Sequence, residues 1–324
     1  MVPPLRLPHR ASVAPLNAPR TGLTSSRGNA IASQRCIRPT SRPACSSSIS
    51  SCSSRNIPLP PSRLQLAPMS TMQATHGHSQ ACCNIPPVVS EGYVPKGSYE
   101  EVGGMKSYVT GLEEATKGIV AVFDIFGYFD QTLQGADILA TSDHHQKYKV
   151  FMPDWFNGSP CPAEWYPPNT EEKQKDLGEW FGKNMPQGPA AALPGYIAAL
   201  KAANPSITSW GLIGYCWGGK VAEIVTSGED NPFEIAAACH PAMVDPAGAE
   251  KIPVPYILLA SGEDPAEDVK QFQNKLKVPH HVETFGDQVH GWMAARADLS
   301  NPRIQEEYIR GYKTVLEFFG KHWN

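Results

Sequence analysis

The sequence predicts an α/β fold, built on a mostly parallel, doubly wound sheet with helices on both faces. Short apolar runs of strand character alternate along the chain with longer stretches that have the periodicity of helices. One run, KGIVAVFDIFG at 117–127, is apolar almost throughout, which is typical of a strand buried on both faces of a parallel sheet. Ligands of such sheets bind beyond the carboxyl ends of the strands. The residues that follow each strand are therefore the candidates for chemistry.

The elements follow one another in a regular order. The predicted strands are a hairpin at 98–111, then 117–127, 148–156, 206–215, 234–243, 255–264 and 281–287. The predicted helices are 131–147, 170–184, 189–204, 217–228, 266–276 and 302–323. Gly103 and Gly104 supply the turn of the hairpin, which we expect at a sheet edge. Pro194 should end or kink its helix, because proline lacks the backbone N–H that the helix needs.

The first 90 residues differ in composition from the rest of the chain. They contain nine Arg and no Lys, Asp or Glu, so that 19 basic and 31 acidic residues fall in the remainder. Residues 1–68 lack the apolar periodicity of a core and are predicted to form a disordered leader. Its Arg- and Ser-rich, acid-free composition is typical of an organelle-targeting peptide, although a mis-assigned start is the alternative. We expect 69–90 to be a flexible entry segment and 91–324 to be a single domain.

Composition also argues against several classes of function. The acidic body lacks the basic patch that nucleic-acid binding needs, and the sequence has no apolar run of membrane-spanning length. The eight cysteines show neither a disulfide-scaffold spacing nor paired Cys-x-x-Cys motifs, which favours an intracellular location, cytoplasmic or, with a true targeting leader, mitochondrial. We expect no cofactor; the oligomeric state is left open, with a monomer favoured.

One cluster near the start of the body contains four potential metal ligands. His76, His78, Cys82 and Cys83 lie within eight residues of one another. Adjacent cysteines are poorly placed to close one tetrahedral site. The sequence therefore predicts no metal centre here.

The stretch GYCWGG at 214–219 places a cysteine where a strand turns into a helix. A nucleophile at such an elbow needs glycine two positions before and after it, because its backbone is strained and side chains there would collide. Gly214 and Gly218 meet this requirement for Cys216. The helix N-terminus behind the sulfur would stabilise negative charge. The alternative is a buried structural cysteine in a glycine-rich turn.

Partners for a nucleophile at Cys216 follow in the order acid, then histidine. Asp264 closes a predicted strand 48 residues later, and His290 comes 26 residues after Asp264, just past the last strand. His240, which also follows a strand, is the rival base, and Glu263 is the rival acid. Asp264 could instead cap the helix that begins near residue 266. Four competing histidines of the body are excluded by position: His144 and His145 on a solvated helix, and His280 and His281 at the start of a strand, the wrong end.

At this point the sequence resembles the dienelactone hydrolase family, and in particular a fungal-type member of its Cys-Asp-His branch. The motifs GYCWGG, ASGED and VHGWMAAR carry the resemblance, which runs from about residue 82 to the last residue. It implies the α/β-hydrolase fold, a triad of Cys216, Asp264 and His290, and an oxyanion hole made by the backbone N–H groups of Ile125 and Trp217.

The resemblance also shows where this chain departs from the family pattern. The family carries a glutamate that bonds to the resting thiol and helps to activate it, whereas this sequence offers Asp124, one methylene shorter. Arg296 is the one candidate for holding a substrate carboxylate. Phe126, Trp217, Trp292 and Arg296 are the predicted pocket residues, of which Trp217 and Trp292 flank the nucleophile and the base. Other aromatic side chains near strand ends are expected to pack mainly in the core.

These residues predict a hydrolase that cleaves small lactones or activated esters through a Cys216 thiolate and an acyl-thioester intermediate. Cysteine suits esters whose leaving groups depart readily, and amides are disfavoured. Two alternatives remain open at this stage. One is a non-catalytic protein of the same fold that senses oxidants through Cys216, and the other is a general carboxylesterase or thioesterase.

Overall fold

The computed structural model describes residues 90–143 and 147–324, which fall within one compact unit. Several predictions concern residues outside these ranges: the leader at 1–68, the entry segment at 69–90 apart from its last residue, and the cluster of His76, His78, Cys82 and Cys83. His144 and His145 also lie outside the described residues.

Eight strands form a single sheet in the order β1-β2-β4-β3-β5-β6-β7-β8. Their bounds are β1 Ser98–Val102, β2 Met105–Gly111, β3 Lys117–Val122, β4 Tyr148–Pro153, β5 Ser209–Tyr215, β6 Ile235–Cys239, β7 Tyr256–Ser261 and β8 His280–Phe285. The predicted hairpin β1–β2 lies at the sheet edge, antiparallel to its neighbours, and the other strands pair in parallel. This architecture confirms the predicted fold class.

The helices cover both faces of the sheet. They are α1 Asp130–Thr141, α2 Glu171–Lys183, α3 Gln187–Ala203, α4 Trp217–Thr226, α5 Pro246–Ala249, α6 Ala266–Lys275 and α7 Pro302–His322, with a 3-10 turn at Ala163–Trp165. The crossover from β3 through α1 to β4 runs in one direction along the sheet, and the crossover from β5 through α4 to β6 runs in the other. Since such crossovers are right-handed, α1 and α4 lie on opposite faces. α7 packs with α1, and α3 packs with α4.

The structure refines two local expectations. Helix α3 does not end at Pro194 but continues through it to Ala203. Pro194 is exposed, whereas Leu193 and Ile197 beside it are buried on the opposite side, so the packing of both halves offsets the one hydrogen bond that proline removes. His280 and His281 lie within β8 and not before it, although they are still at its amino end.

Helix α7 closes the fold with one apolar face. Its buried residues include Tyr308, Tyr312, Val315, Leu316 and Phe319, at the three- and four-residue steps of an amphipathic helix. In the described ranges, no helix is both long enough and apolar enough to cross a membrane.

Candidate active site

Cys216 lies on the elbow that the sequence predicted, directly between β5 and α4. It is the N-cap residue of α4 and has a φ of 51°, in the left-handed region that is uncommon outside glycine. A Cβ atom on Gly214 would overlap the backbone of Gly218, and one on Gly218 would overlap the carbonyl oxygen of Val122. Glycine is therefore required on both sides of the cysteine, and the thiol is held partly exposed above the sheet.

The imidazole of His290 connects this cysteine to a buried carboxylate. His290 Nδ1 lies 2.7 Å from Asp264 Oδ1, and Asp264 Oδ2 accepts the backbone N–H of Ser261 at 2.7 Å. Cys216 lies close enough to the His290 ring for its side chain to act, with Asp264, to raise the pKa of that ring. Cysteine, histidine and aspartate from three separate loops thus meet at the carboxyl edge of the sheet.

The protonation of His290 follows from these contacts. Burial acts to lower the pKa of His290, but the hydrogen bonds to Asp264 and Cys216, together with the charges of both groups, raise it to about 10. At neutral pH the ring therefore carries two N–H protons. One nitrogen can donate to Asp264 while the other faces the sulfur.

Glu263, the rival acid, binds the backbone of His290 and not its ring. Its Oε2 accepts the His290 backbone N–H at 2.9 Å and lies 3.4 Å from Arg296 Nη1. Arg296 also donates to the His290 carbonyl oxygen and stands 4.8 Å over the ring of Tyr166. Glu263 and Arg296 thus hold the loop that carries the histidine.

His240, the rival base, lies beside His290 but does not bond to Cys216. Its ring is buried, and neither ring nitrogen has a hydrogen-bond partner among the described residues. The two histidine rings meet edge to face with centroids 5.3 Å apart. Burial and the neighbouring charge of His290 lower the pKa of His240 well below its usual value. His240 therefore stays neutral next to the protonated His290.

The two amides expected to form an oxyanion hole belong to Trp217 and Ile125. Trp217 is the first residue of α4, and Ile125 follows β3 in a tight turn. In the part of the chain that the structure describes, neither N–H has a protein acceptor. The Ile125 carbonyl oxygen accepts the N–H of Cys161 at 2.8 Å, which fixes the orientation of this turn.

Asp124 binds the backbone on both sides of the site. Its Oδ1 accepts the N–H of Phe126 at 2.9 Å, its Oδ2 accepts the N–H of Ala295 at 3.2 Å, and among the described residues neither oxygen bonds to Cys216. Burial raises its pKa to about 6, while the two N–H groups and the positive charges of His290 and Arg296 act to lower it. The shorter side chain therefore ties the oxyanion turn to the histidine loop, in place of the thiol contact that a family glutamate would make.

A pocket of about 290 Å³ opens beside this site. Its lining residues are Phe126, Phe129, Ala163, Tyr166, Pro167, Ala295 and Arg296. Of the predicted pocket residues, Phe126 and Arg296 line it, whereas Trp217 and Trp292 are fully buried and do not. The Trp292 ring is buried and stacks on Phe285 at 4.2 Å, with its far edge against Gly311 of α7. The turn after His290 directs this side chain into the core.

Other pocket residues were not singled out from the sequence. Ala163 and Pro167 belong to the long connection between β4 and α2, and Ala295 lies in the loop before α7. The aromatic residues Phe129 and Tyr166 also lie near strand ends, where they were expected to pack mainly in the core. The aromatic and proline content of 155–168 was the available signal for a pocket wall in this connection.

Comparison with known proteins gives the family. The sequence model of the dienelactone hydrolase family matches residues 105–323. The chain belongs to the dienelactone hydrolase family. Two uncharacterized AIM2 family proteins of Schizosaccharomyces pombe are similar to it: one is 35% identical over 71% of this chain and 93% of its own length, and the other is 30% identical over 68% and 89%. These fungal relatives agree with the fungal-type resemblance in the sequence.

A solved structure supports the same fold. The crystal structure of dienelactone hydrolase from Anabaena variabilis superposes with a TM-score of 0.51 at 14% identity, covering 70% of this chain and 97% of that protein. The fold is the α/β-hydrolase fold, and the family assignment makes the protein a hydrolase.

Proposed function

We propose that this hydrolase cleaves small lactones or activated carboxylic esters through a Cys216 thiolate and an acyl-thioester intermediate. The observation that carries the proposal is the hydrogen bond between Asp264 and His290 beside Cys216, which lies at a strained strand-to-helix elbow. Nucleophile, base and orienting acid in this arrangement are the components of acyl-transfer catalysis.

The first half of the reaction forms the thioester. The Cys216 sulfur attacks the ester carbonyl carbon, and the oxygen, now negative, receives hydrogen bonds from the free N–H groups of Ile125 and Trp217. His290 then passes its proton to the departing alkoxide as the carbon–oxygen bond breaks. Asp264 keeps the ring in place throughout, because its carboxylate holds Nδ1 at 2.7 Å.

The second half releases the acid. Neutral His290 takes a proton from water, and the resulting hydroxide adds to the thioester carbonyl. Collapse of the intermediate expels the Cys216 thiolate, and the product acid leaves. Cys216 and His290 are then ready for the next substrate.

A cysteine nucleophile limits the range of substrates. A thiolate is itself a good leaving group, so the tetrahedral intermediate proceeds to product only when the substrate's own leaving group departs at least as readily. Enol esters and thioesters satisfy this condition directly, lactones do so with protonation of the alkoxide by His290, and amides, with their poorer amine leaving groups, are disfavoured.

The pocket favours a small or flat group. It is lined by Phe126, Phe129 and Tyr166, and its volume is at the lower end for ligand sites. The charge of Arg296 is already shared by Glu263 and the His290 carbonyl, so a carboxylate on the substrate would have to compete with these partners.

Mass spectrometry of the enzyme mixed briefly with a panel of lactones and aryl esters tests the proposal. We expect an acyl adduct on Cys216 that decays as product appears. Cys216→Ala should abolish both adduct and turnover, whereas Cys161→Ala, which removes another thiol near the site, should keep both. Hydrolysis that is unaffected by Cys216→Ala would overturn the proposal.

A further inference from the structure

Arg296 places a positive charge in the wall of the pocket. A Cβ atom on Gly291, which has a φ of 97°, would lie 3.0 Å from the Cβ of Arg296, so the stem of the arginine rests on this glycine. The guanidinium carbon stands 4.8 Å over the centre of the Tyr166 ring. The side chain is thus held between the histidine loop and the β4–α2 connection. An arginine in this place would select substrates that carry a carboxylate if its charge were unopposed.

Two carboxylates oppose this charge. Glu263 Oε2 lies 3.4 Å from Arg296 Nη1. Asp124 is close enough to feel the arginine: burial raises the pKa of Asp124, and the positive charge of Arg296 acts against that rise. The charge of His290 is taken up by Asp264, at 2.7 Å. A carboxylate on the substrate would therefore be a third anion beside one guanidinium, and like charges repel.

The rest of the pocket wall is uncharged. The Phe126 ring lies 6.0 Å from the Phe129 ring and 6.1 Å from the Tyr166 ring, measured between centroids. A proline and two alanines complete the lining. Such a surface binds flat apolar groups but does not discriminate between charges. The arginine and its partner glutamate therefore decide how the pocket responds to a charged group.

This wall adjoins the proposed catalytic groups. Phe126 directly follows Ile125, whose N–H is one of the two proposed oxyanion donors. Arg296 donates to the His290 carbonyl oxygen, and Glu263 Oε2 accepts the His290 backbone N–H at 2.9 Å. The pocket is therefore placed to hold one side of the ester that the thiol attacks.

We propose that Glu263 sets the charge selectivity of this hydrolase: by offsetting the charge of Arg296, it makes the pocket prefer an uncharged group of the ester over one that carries a carboxylate. The inference rests on the proposed esterase function and adds a substrate class, esters that are neutral in the part held by the pocket. Glu263 contacts Arg296 and the histidine backbone, so it acts on the substrate through Arg296.

Two pairs of aryl esters test the proposal, each pair differing by a carboxylate or a carboxamide of the same shape. The pair 4-carboxyphenyl and 4-carbamoylphenyl acetate carries the difference in the leaving group. The mono-p-nitrophenyl ester of terephthalic acid and p-nitrophenyl 4-carbamoylbenzoate carry it in the acyl group. After correction for uncatalysed hydrolysis, kcat/KM of the wild type should favour the carboxamide about fivefold in at least one pair. The responding pair shows which side of the ester the pocket holds.

Glu263→Gln keeps the shape of the side chain and removes its charge. In the responding pair it should bring the ratio of the two kcat/KM values to about one or reverse it, and rising salt should weaken this gain for the carboxylate ester. A general loss of catalysis cancels in the ratio. Adding Arg296→Met to Glu263→Gln should remove the gain, because the guanidinium is the group that attracts the carboxylate.

Glu164→Gln is the matched control. Glu164 is an exposed acid in the 3-10 turn between Ala163 and Tyr166 of the pocket wall, and among the described residues it does not bond to Arg296. This variant removes the same charge near the pocket and should leave the ratio unchanged.

Three results would overturn the selectivity proposal while the esterase proposal stands: a wild type without preference in either pair, a ratio that Glu263→Gln leaves unchanged or that Glu164→Gln changes equally, or a gain that persists in the double variant. If the wild type cleaves no ester, or if Cys216→Ala cleaves them equally, the esterase proposal fails as well.

Discussion

At the scale of single residues, the charge on His290 controls the proposed chemistry. Its pKa of about 10 results from burial, which favours the neutral ring, and from Asp264 and Cys216, which favour the charged ring and prevail. The imidazolium is the form that can protonate a leaving alkoxide. Activity should therefore persist to high pH and fall as the pH rises through the pKa of His290.

Replacing Asp264 with asparagine tests this assignment. Asp264→Asn removes the carboxylate that raises the His290 pKa and that fixes its ring, so kcat/KM should fall by about 10³-fold. The alkaline limb of the pH profile should move below pH 10. Glu263→Gln is the comparison, because its side chain bonds to the His290 backbone. Glu263→Gln should lower kcat/KM less than Asp264→Asn does and should leave the alkaline limb of the pH profile in place. A larger shift of this limb with Glu263→Gln would reverse the roles of the two acids.

Asp124 offers a second residue-scale prediction. Its folded pKa of about 6 lies above the ordinary value of 3.8, so its contribution to stability is fully present below pH 3.8 and is lost as pH rises through 6. Asp124→Asn should abolish this dependence, and its free energy of unfolding relative to wild type should rise by up to about 3 kcal/mol between pH 4 and 7. Urea unfolding across this range measures the effect.

Activity should respond to the same variant for a different reason. Asparagine can accept only one of the two backbone N–H groups that Asp124 holds, so the oxyanion turn should loosen and kcat/KM should fall about tenfold. Asp154→Asn is the control, because Asp154 accepts two backbone N–H groups in a similar turn after β4. Equal losses of activity in both variants would argue against a role of Asp124 in placing the Ile125 N–H.

At the scale of elements, the packing of α1 on α7 depends on a missing side chain. Gly135 lies in α1, and a Cβ atom there would overlap the hydroxyl of Tyr312 on α7, which donates to the Met293 carbonyl at 2.8 Å. Tyr312 also contacts Tyr308 one turn earlier, at 4.9 Å between ring centroids. The two helices can approach this closely only because position 135 is glycine.

This contact reverses the usual effect of glycine in a helix. Gly135→Ala should lower the free energy of unfolding by about 1–3 kcal/mol, because the added methyl forces the helices apart. Gly178→Ala in α2, where no atom lies within 4 Å of the new Cβ, should raise it by about 0.5–1 kcal/mol. Urea unfolding compares the two. If both substitutions stabilised the protein, the contact between α1 and α7 would have enough space for the added methyl group.

The order of the elements explains which parts of the site could be predicted from the sequence. The order of Cys216, Asp264 and His290 along the chain was enough to bring them together, because parallel strands deliver their following loops to one edge. The orientation of the Trp292 side chain could not be predicted from the sequence, since it depends on the turn after His290 and on the space left by Gly311. The contacts of the Asp124 side chain could likewise not be predicted from the sequence, because Ala295 lies 171 residues away along the chain.

At the scale of the whole molecule, the end of α7 stabilises the edge of the sheet opposite the site. The Trp323 ring stacks on Tyr148 at 5.3 Å, and its indole N–H donates to Ser209 Oγ at 2.5 Å. Lys117 Nζ donates to the Trp323 carbonyl at 2.6 Å. Lys117, Tyr148 and Ser209 are the first residues of β3, β4 and β5, so Trp323, through its ring and its carbonyl group, joins the amino ends of three neighbouring strands.

Replacement of Trp323 should therefore lower the stability of the protein without changing catalysis. Trp323→Ala should lower the free energy of unfolding by about 3–5 kcal/mol, because it leaves a cavity and removes the indole N–H that Ser209 Oγ accepts. At 25 °C, the folded fraction should keep its kcat/KM, since the catalytic groups lie at the carboxyl ends of the strands. Urea unfolding and ester hydrolysis on the same samples test both statements, with Asn324→Ala, an exposed neighbour, as the control. A loss of kcat/KM in fully folded Trp323→Ala would mean that the strands transmit displacements from their amino ends to the elbow.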